Sequence, residues 1–402
     1  MSQQNKTSHA NKTSQPNEMS QPNEMSHAKS HAVGGPKRCR SFRAACLLVG
    51  AGLAVLWWPS LGRGQELSLT TQPERQATEA AIERALQFLM SQQVENGSIT
   101  QGQHGTTMTA LAVMALASTG VTPAQDDAKG QAMRRALDFV LQPEQQTAEG
   151  YFGQADGSRM YGHGIITLML SEMTGMGANA EQDHRLHEAC QAGIDLILKA
   201  QRHPKQGPNR GGWRYTPDAM DADLSVSVWQ LMALRSAKND GLDVPAGAIE
   251  QAIGYLKRSC TSPLDPDGKP QRDESGFHYT PGGSDIQFAM TAAGVLAMQV
   301  CGQYDSPLVQ QATEWLQKNP PQWGARYFLY GTYYYAQGMH QQGGTTATDA
   351  ERVVRELLLP KQNDDGSWSP EGEEAAGGKI YATCMAVLSL SVNYHYLPIY
   401  QR

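Results

Sequence analysis

Apolar residues recur between residues 75 and 395 in two alternating kinds of segment. In the first kind, as at 82–89, they fall at positions i, i+3, i+4 and i+7. This spacing predicts an α-helix with one face in a core and the other in water. Segments of the second kind have few charged residues, as at 107–116 and 289–300. They are predicted to be helices that are buried on all sides.

One segment of each kind, joined by a turn with a large apolar residue, forms a unit that occurs six times. The turn residues of successive units are 45 to 64 residues apart, which suits helical hairpins with loops of variable length. The one-sided helices are predicted at 81–89, 133–141, 189–201, 248–256, 309–317 and 352–359, and the buried helices at 106–116, 161–173, 223–237, 285–300, 326–337 and 381–392.

Six buried helices need a surrounding layer, and the one-sided helices can supply it. The sequence therefore predicts an all-α fold, a closed (α/α)6 toroid of six helical hairpins that occupies residues 67–402. An open solenoid is the alternative, but it would leave the inner helices exposed along one side. Closure places the sixth hairpin beside the first.

The N-terminal part differs in composition from the rest. Residues 1–36 contain short repeats of polar residues and are predicted to be a low-complexity segment without a core. A basic stretch then precedes an uncharged apolar run at 44–58, a pattern typical of a secretory signal. The run is short for a membrane span, which needs about 20 residues. Residues 37–64 are therefore predicted to be a signal peptide or an uncleaved membrane anchor of an exported protein.

Charge and cysteine content narrow the functional classes. Residues 67–402 contain 25 Lys and Arg against 36 Asp and Glu, and this acidic balance argues against a nucleic-acid partner. The four cysteines beyond the apolar run show no metal-ligand spacing, so neither a metal nor a cofactor is expected. The hairpin topology also separates them by more than a disulfide can span. Four free thiols are predicted, at Cys190, Cys260, Cys301 and Cys384.

Residues 362–368 read Q-N-D-D-G-S-W, which resembles the Q-x-x-x-G-x-W motif repeated in squalene cyclases. Looser copies begin at Gln201 and Gln93. Over about residues 75–395 the chain resembles the terpenoid cyclase and protein prenyltransferase superfamily, which implies an α/α toroid and an isoprenoid ligand. In that family these glutamine and tryptophan residues link an outer helix to its turn and are not catalytic.

The same resemblance points to two kinds of catalytic group. The zinc site of prenyltransferases needs an Asp, a Cys and a His, but only Asp223 is present, with Ser225 and Ala382 in the other places. Zinc prenyltransferase activity is not expected, since these two side chains lack nitrogen and sulfur donors. Squalene cyclases use a D-x-D-D cluster to protonate an alkene. Asp221 and Asp223 remain as candidate acids for that step, and the alternative for Asp223 is a helix N-cap.

The inner helices all begin at one rim, so their first residues should surround a central cavity. His163 beside Tyr161 is a candidate acid–base pair for a glycan-active enzyme, with a structural histidine as the alternative. The sequence favours a non-catalytic binding or scaffold toroid, with a terpene-cyclase-like isomerase and a glycan-active enzyme as alternatives. Its ligand is expected to be an isoprenoid, another apolar molecule or a glycan. The predicted cavity residues are His104, Tyr161, His163, Asp285, Arg326, Tyr327, Tyr330, Tyr381 and Cys384.

Overall fold

The structure, a computed structural model, describes residues 71–394 and 396–400. The predicted low-complexity segment and the signal or anchor segment lie outside these residues. Within them, twelve α-helices form six hairpins. The β-type pairings among these described residues are isolated bridges between single residues. No helix of this described part is both long enough and apolar enough to cross a membrane.

The helices alternate between an outer and an inner layer. The outer helices are α1 (Gln72–Ser91), α3 (Ala128–Val140), α5 (Ala180–Arg202), α7 (Ala246–Ser259), α9 (Pro307–Lys318) and α11 (Gly344–Leu358). The inner helices are α2 (Gly105–Ala117), α4 (Arg159–Met173), α6 (Leu224–Asn239), α8 (Phe288–Val300), α10 (Phe328–Gln342) and α12 (Gly378–Leu390). Every predicted segment overlaps its helix. Three outer helices, α1, α5 and α11, begin eight or nine residues earlier than predicted, because their first turns are polar and lack the apolar stripe.

The inner helices form a closed ring, as predicted. Each packs against the next in chain order, and α12 packs against α2. The Ser391 hydroxyl donates a hydrogen bond to Ser118 at 2.8 Å, which joins the ends of these two helices. The (α/α)6 toroid is therefore confirmed, and the open solenoid is not formed.

A glutamine in four hairpins links its own turn to the next outer helix. Gln362 Nε2 donates to the carbonyl of Gly366 at 2.9 Å and to that of Ala81 at 2.8 Å. Gln93, Gln146 and Gln201 make the same two bonds in their hairpins. We call this arrangement the glutamine lock. The copy at Gln146, whose turn ends in Phe152, was not identified in the sequence analysis.

The close contact between each turn and the next outer helix also requires the glycine in the turn. Gly97, Gly150, Gly211 and Gly366 have φ between 85° and 93°. A Cβ atom at these positions would lie 2.2 to 2.4 Å from a carbonyl oxygen of the next outer helix. Only glycine has both the backbone freedom and the small volume that this contact needs.

The four cysteines within the described residues are free, as predicted. Cys190, Cys260 and Cys384 are buried in different hairpins, which explains why they do not meet. Cys39 and Cys46 lie outside the described residues.

Candidate active site

A cavity of about 900 Å³ lies at the rim where the inner helices begin. Its wall contains six tyrosines and one phenylalanine together with a few charged groups. The first hairpin contributes none of its lining residues, so the cavity is bordered by the other five. The lining residues are Tyr161, Tyr215, Ser225, His278, Tyr279, Gln287, Phe288, Ala289, Met290, Ala325, Arg326, Tyr327, Tyr330, Glu373, Glu374, Gly377 and Tyr381.

Five of the predicted cavity residues are on this wall, and they come from hairpins two, five and six. They are Tyr161, Arg326, Tyr327, Tyr330 and Tyr381. Each lies within the first turn of its inner helix or just before it, where the repeat pattern placed it.

Three other predicted residues are not on the wall. His104 precedes α2 in the left-handed region, and its Nδ1 lies 2.9 Å from the carbonyl oxygen of Asp156. Cys384 is fully buried inside α12. Asp285 is in the loop before α8, three residues ahead of the helix that was predicted to include it, and its side chain is 77% exposed. It lies 3.8 Å from Nε2 of the lining residue His278.

His163 is fully buried and makes a contact that recurs around the ring. In five hairpins, the large apolar residue of the turn donates its backbone N–H to a side chain near the start of the following inner helix. His163 accepts this bond from Phe152 at 3.4 Å, and its Nε2 lies 3.1 Å from the Gly193 carbonyl. Burial lowers the His163 pKa to about 4, so the imidazole is neutral. In the other four hairpins this acceptor is Thr109, Ser227, Thr291 or Thr383.

Asp223 is the N-cap of α6. Its Oδ1 accepts the N–H of Val226 at 2.9 Å and the hydroxyl of Ser225 at 2.7 Å, while Oδ2 lies 3.3 Å from Arg214 Nε. Burial raises the Asp223 pKa, and the Val226, Ser225 and Arg214 interactions oppose that rise. Asp221, the second candidate acid, has a side chain that is 58% exposed and lies 3.5 Å from Arg214. The capping role considered for Asp223 is therefore present.

Two tyrosines that the sequence analysis missed stand between Arg214 and the cavity. The Arg214 guanidinium lies over the Tyr215 ring at 5.0 Å and the Tyr279 ring at 5.5 Å. The two tyrosine hydroxyls are 2.6 Å apart. A repeat signal could have found both, because each follows its turn aromatic, Trp213 or Phe277, by two residues.

A pair of consecutive glutamates forms the second group of carboxylates. Glu374 is only 7% exposed. It accepts the N–H groups of Leu329 and Tyr330, both at 2.9 Å, and the Tyr381 hydroxyl at 2.8 Å. Burial raises its pKa, and these three bonds oppose the rise. Glu374 therefore caps α10 from another hairpin.

Glu373, by contrast, is accessible from solvent. Its side chain is 51% exposed and lies 3.2 Å from Arg326 Nε. The sequence analysis missed both glutamates because no local pattern connects them to α10. The two consecutive carboxylates therefore lie in different surroundings, one buried and one exposed to solvent.

No family model matches the sequence, and no curated protein matches it. Several solved structures have a similar fold. Cellobiose 2-epimerase from Spirochaeta thermophila DSM 6192 matches with a TM-score of 0.54 and 16% identity, over 80% of this chain and 98% of the other. A wild-type glycosidase matches with a TM-score of 0.51 and 13% identity, over 82% of this chain and all of the other.

A third similar structure contains a bound glycan. It is an α-1,6-mannanase of Salegentibacter sp. HEL1_6 in complex with α-1,6-mannotriose, made inactive by replacing two consecutive aspartates with asparagine. Its TM-score is 0.50 and its identity 11%, over 79% of this chain and 98% of the other. At these identities the likeness shows the fold, an (α/α)6 toroid of the kind that glycosidases and epimerases have.

The predicted membership of the terpenoid cyclase and prenyltransferase superfamily is wrong. The structural neighbours are glycosidase-type toroids, and they give no support for an isoprenoid ligand. The physical reason lies in the glutamine lock. It joins neighbouring hairpins through backbone carbonyls, so it reports the geometry of a hairpin ring and not the chemistry in its centre.

Proposed function

We propose that this protein is a glycan-active toroid enzyme that binds an oligosaccharide in its central cavity. One observation carries the proposal: the wall of the cavity combines six tyrosines with the consecutive carboxylates Glu373 and Glu374. Aromatic faces pack against the C–H faces of sugar rings, and hydroxyl and carboxylate oxygens bond to sugar hydroxyls. The glycan-active structural neighbours support this choice of ligand.

The reaction that suits this pair is hydrolysis of a glycosidic bond, which uses one carboxylic acid and one carboxylate. Glu374, whose burial raises its pKa, is the proton donor to the glycosidic oxygen. Its Oε2 accepts one bond, from Leu329, and can carry the proton. Glu373, held beside Arg326, is the base that activates a water. The inactive mannanase likewise has two consecutive acidic residues replaced.

A non-catalytic glycan-binding protein is the second candidate. The observation that favours it is the cap that Glu374 provides for α10, since its three hydrogen bonds are those a structural carboxylate would make. In this case the cavity binds the glycan and Glu374 keeps the helix in place.

Incubation of the full-length protein with α-1,6-manno-oligosaccharides, cello-oligosaccharides and other neutral glycans tests both candidates. Binding is measured by calorimetry and product formation by chromatography. For the enzyme we expect Glu373→Gln and Glu374→Gln to lower turnover at least about 100-fold while binding persists. Glu371→Gln is the matched control, because Glu371 bonds Trp323 outside the cavity. Binding without turnover would favour the second candidate, and the absence of both would reject the glycan assignment.

A further inference from the structure

We infer that the cavity selects uncharged glycans and rejects acidic ones that carry carboxylate or sulfate groups. This inference deepens the proposed function and rests on it. Its basis is that the N-termini of α6 and α10 and the two arginines nearest the cavity are already paired with carboxyl groups of the chain itself.

The helix N-termini are the first of these positive groups. An uncapped N-terminus carries a partial positive charge and free N–H groups that suit an anion. Two of the helices that border the cavity have a buried carboxylate in that place. Asp223 accepts the N–H of Val226 in α6, and Glu374 accepts those of Leu329 and Tyr330 in α10. The N–H groups at these two helix ends are therefore already bonded to side-chain oxygens and are not open to an anionic ligand.

The cationic side chains are the second group. Arg326, on the wall, lies 3.2 Å from Glu373. Arg214, behind the tyrosine pair, lies 3.3 Å from Asp223 and 3.5 Å from Asp221. The wall also contains His278, whose Nε2 lies 3.8 Å from Asp285. Among the described residues that line the cavity, there is one arginine, and it is paired with Glu373.

The charge of Arg326 is thus offset by an adjacent carboxylate. An acidic sugar that bonded the exposed part of the Arg326 guanidinium would lie beside Glu373 and would be repelled by its like charge. An uncharged sugar avoids this repulsion and can use the tyrosine faces and hydroxyls to the same extent. Glu373 is thus a specificity-determining residue as well as a candidate base, since its charge offsets that of Arg326.

Matched pairs of pentasaccharides test the inference on the full-length protein. Each pair has the same linkage and differs only at C6: cellopentaose with its glucuronate form, β-1,4-mannopentaose with mannuronate, and α-1,4-galactopentaose with galacturonate. Calorimetry measures the dissociation constants at about 0.15 M salt. We expect the neutral member of any pair that binds to be at least tenfold tighter. Glu373→Gln should reduce that ratio at least threefold, whereas Glu371→Gln should leave it unchanged.

The possible outcomes separate this inference from the proposed function. Equal or tighter binding of an acidic member would overturn the selectivity and leave the glycan assignment intact. An unchanged ratio in Glu373→Gln would also overturn it, because the charge of that residue would not set the selectivity. If no member of any pair binds, the glycan assignment fails and the selectivity fails with it.

Discussion

The side-chain amide of Gln362 donates a hydrogen bond to the carbonyl of Ala81, which lies 281 positions earlier in the chain. The bond joins the last hairpin to the first outer helix, where Arg355 and Glu74 also form an ion pair at 2.9 Å. Locks of the same kind join hairpin one to two, two to three and three to four. The ring is therefore closed by the device that also connects its neighbouring units.

Replacing Gln362 with methionine tests the lock, because methionine has a similar length but cannot donate. We expect a loss of about 1–3 kcal/mol in the free energy of unfolding, since two hydrogen bonds to backbone carbonyls disappear. Urea denaturation measures the change. Gln87→Met is the control: Gln87 is exposed and bonds only within α1, so its change should stay within about 0.5 kcal/mol. Equal effects of the two substitutions would show that the lock does not stabilise the ring.

The cap at Asp223 leads to a prediction about charge and geometry. Asp223→Ala removes the acceptor for the N–H of Val226 and should destabilise the protein by about 0.5–2 kcal/mol. Asp223→Asn keeps an acceptor, so its stability should be much closer to that of the wild type. Thermal melting of both variants checks the order. A clear gain of stability in both variants would contradict the capping role. It would favour Asp223 as a catalytic acid whose burial destabilises the folded protein.

Glu172 makes the stability depend on pH near neutrality. It is buried in α4, where it accepts bonds from Ser236 and from the N–H of Ile399. Burial raises its pKa to about 8 from the ordinary value of 4.5. The folded state therefore keeps a proton that the unfolded state has lost between these two values. Stability from this group is present below pH 4.5 and is lost as the pH rises through about 8.

Glu172→Gln keeps an acceptor and removes this titration. Relative to wild type, we expect the variant to become more stable as the pH rises from 5 to 8. The difference should reach at least about 1 kcal/mol, the equivalent of one pKa unit. Melting temperatures of the two proteins across that range measure it. Parallel curves would mean that Glu172 titrates normally in the folded protein.

His163 gives the opposite dependence. Its pKa falls to about 4 in the folded state from the ordinary value of 6.5, so the unfolded state binds the extra proton between these values. Stability from this group is present above pH 6.5 and is lost as the pH falls through about 4. His163→Thr installs the residue found at the same place in three other hairpins. The variant can differ in stability from wild type at pH 7. As the pH falls, its melting temperature should rise relative to that of the wild type. A constant difference would contradict the low pKa.

The features that depend on residues close together in the chain could be predicted from the amino-acid sequence. The period of apolar positions located all twelve helices, because a helix face is set by residues three and four apart. The alternation of one-sided and fully apolar helices determined the two layers and hence the closed ring. The N-cap at Asp223 could also be foreseen, since a cap acts within its own first turn.

The roles of the rim residues, by contrast, depend on contacts between distant parts of the chain. Glu374 accepts N–H groups of α10 from Leu329 and Tyr330, which lie 45 and 44 positions earlier in the chain, so no local sequence pattern predicts this cap. His163 and Tyr161 are two residues apart in α4, yet they have different surroundings. His163 accepts a hydrogen bond from the turn residue Phe152 in the core, whereas Tyr161 lines the cavity. The glutamine motif was read correctly as a link but assigned to the wrong family, because a ring junction imposes the same bonds whatever lies in the centre. Periodicity records which face of a helix is buried, while a cavity is created by side chains from five hairpins that meet only when the ring closes.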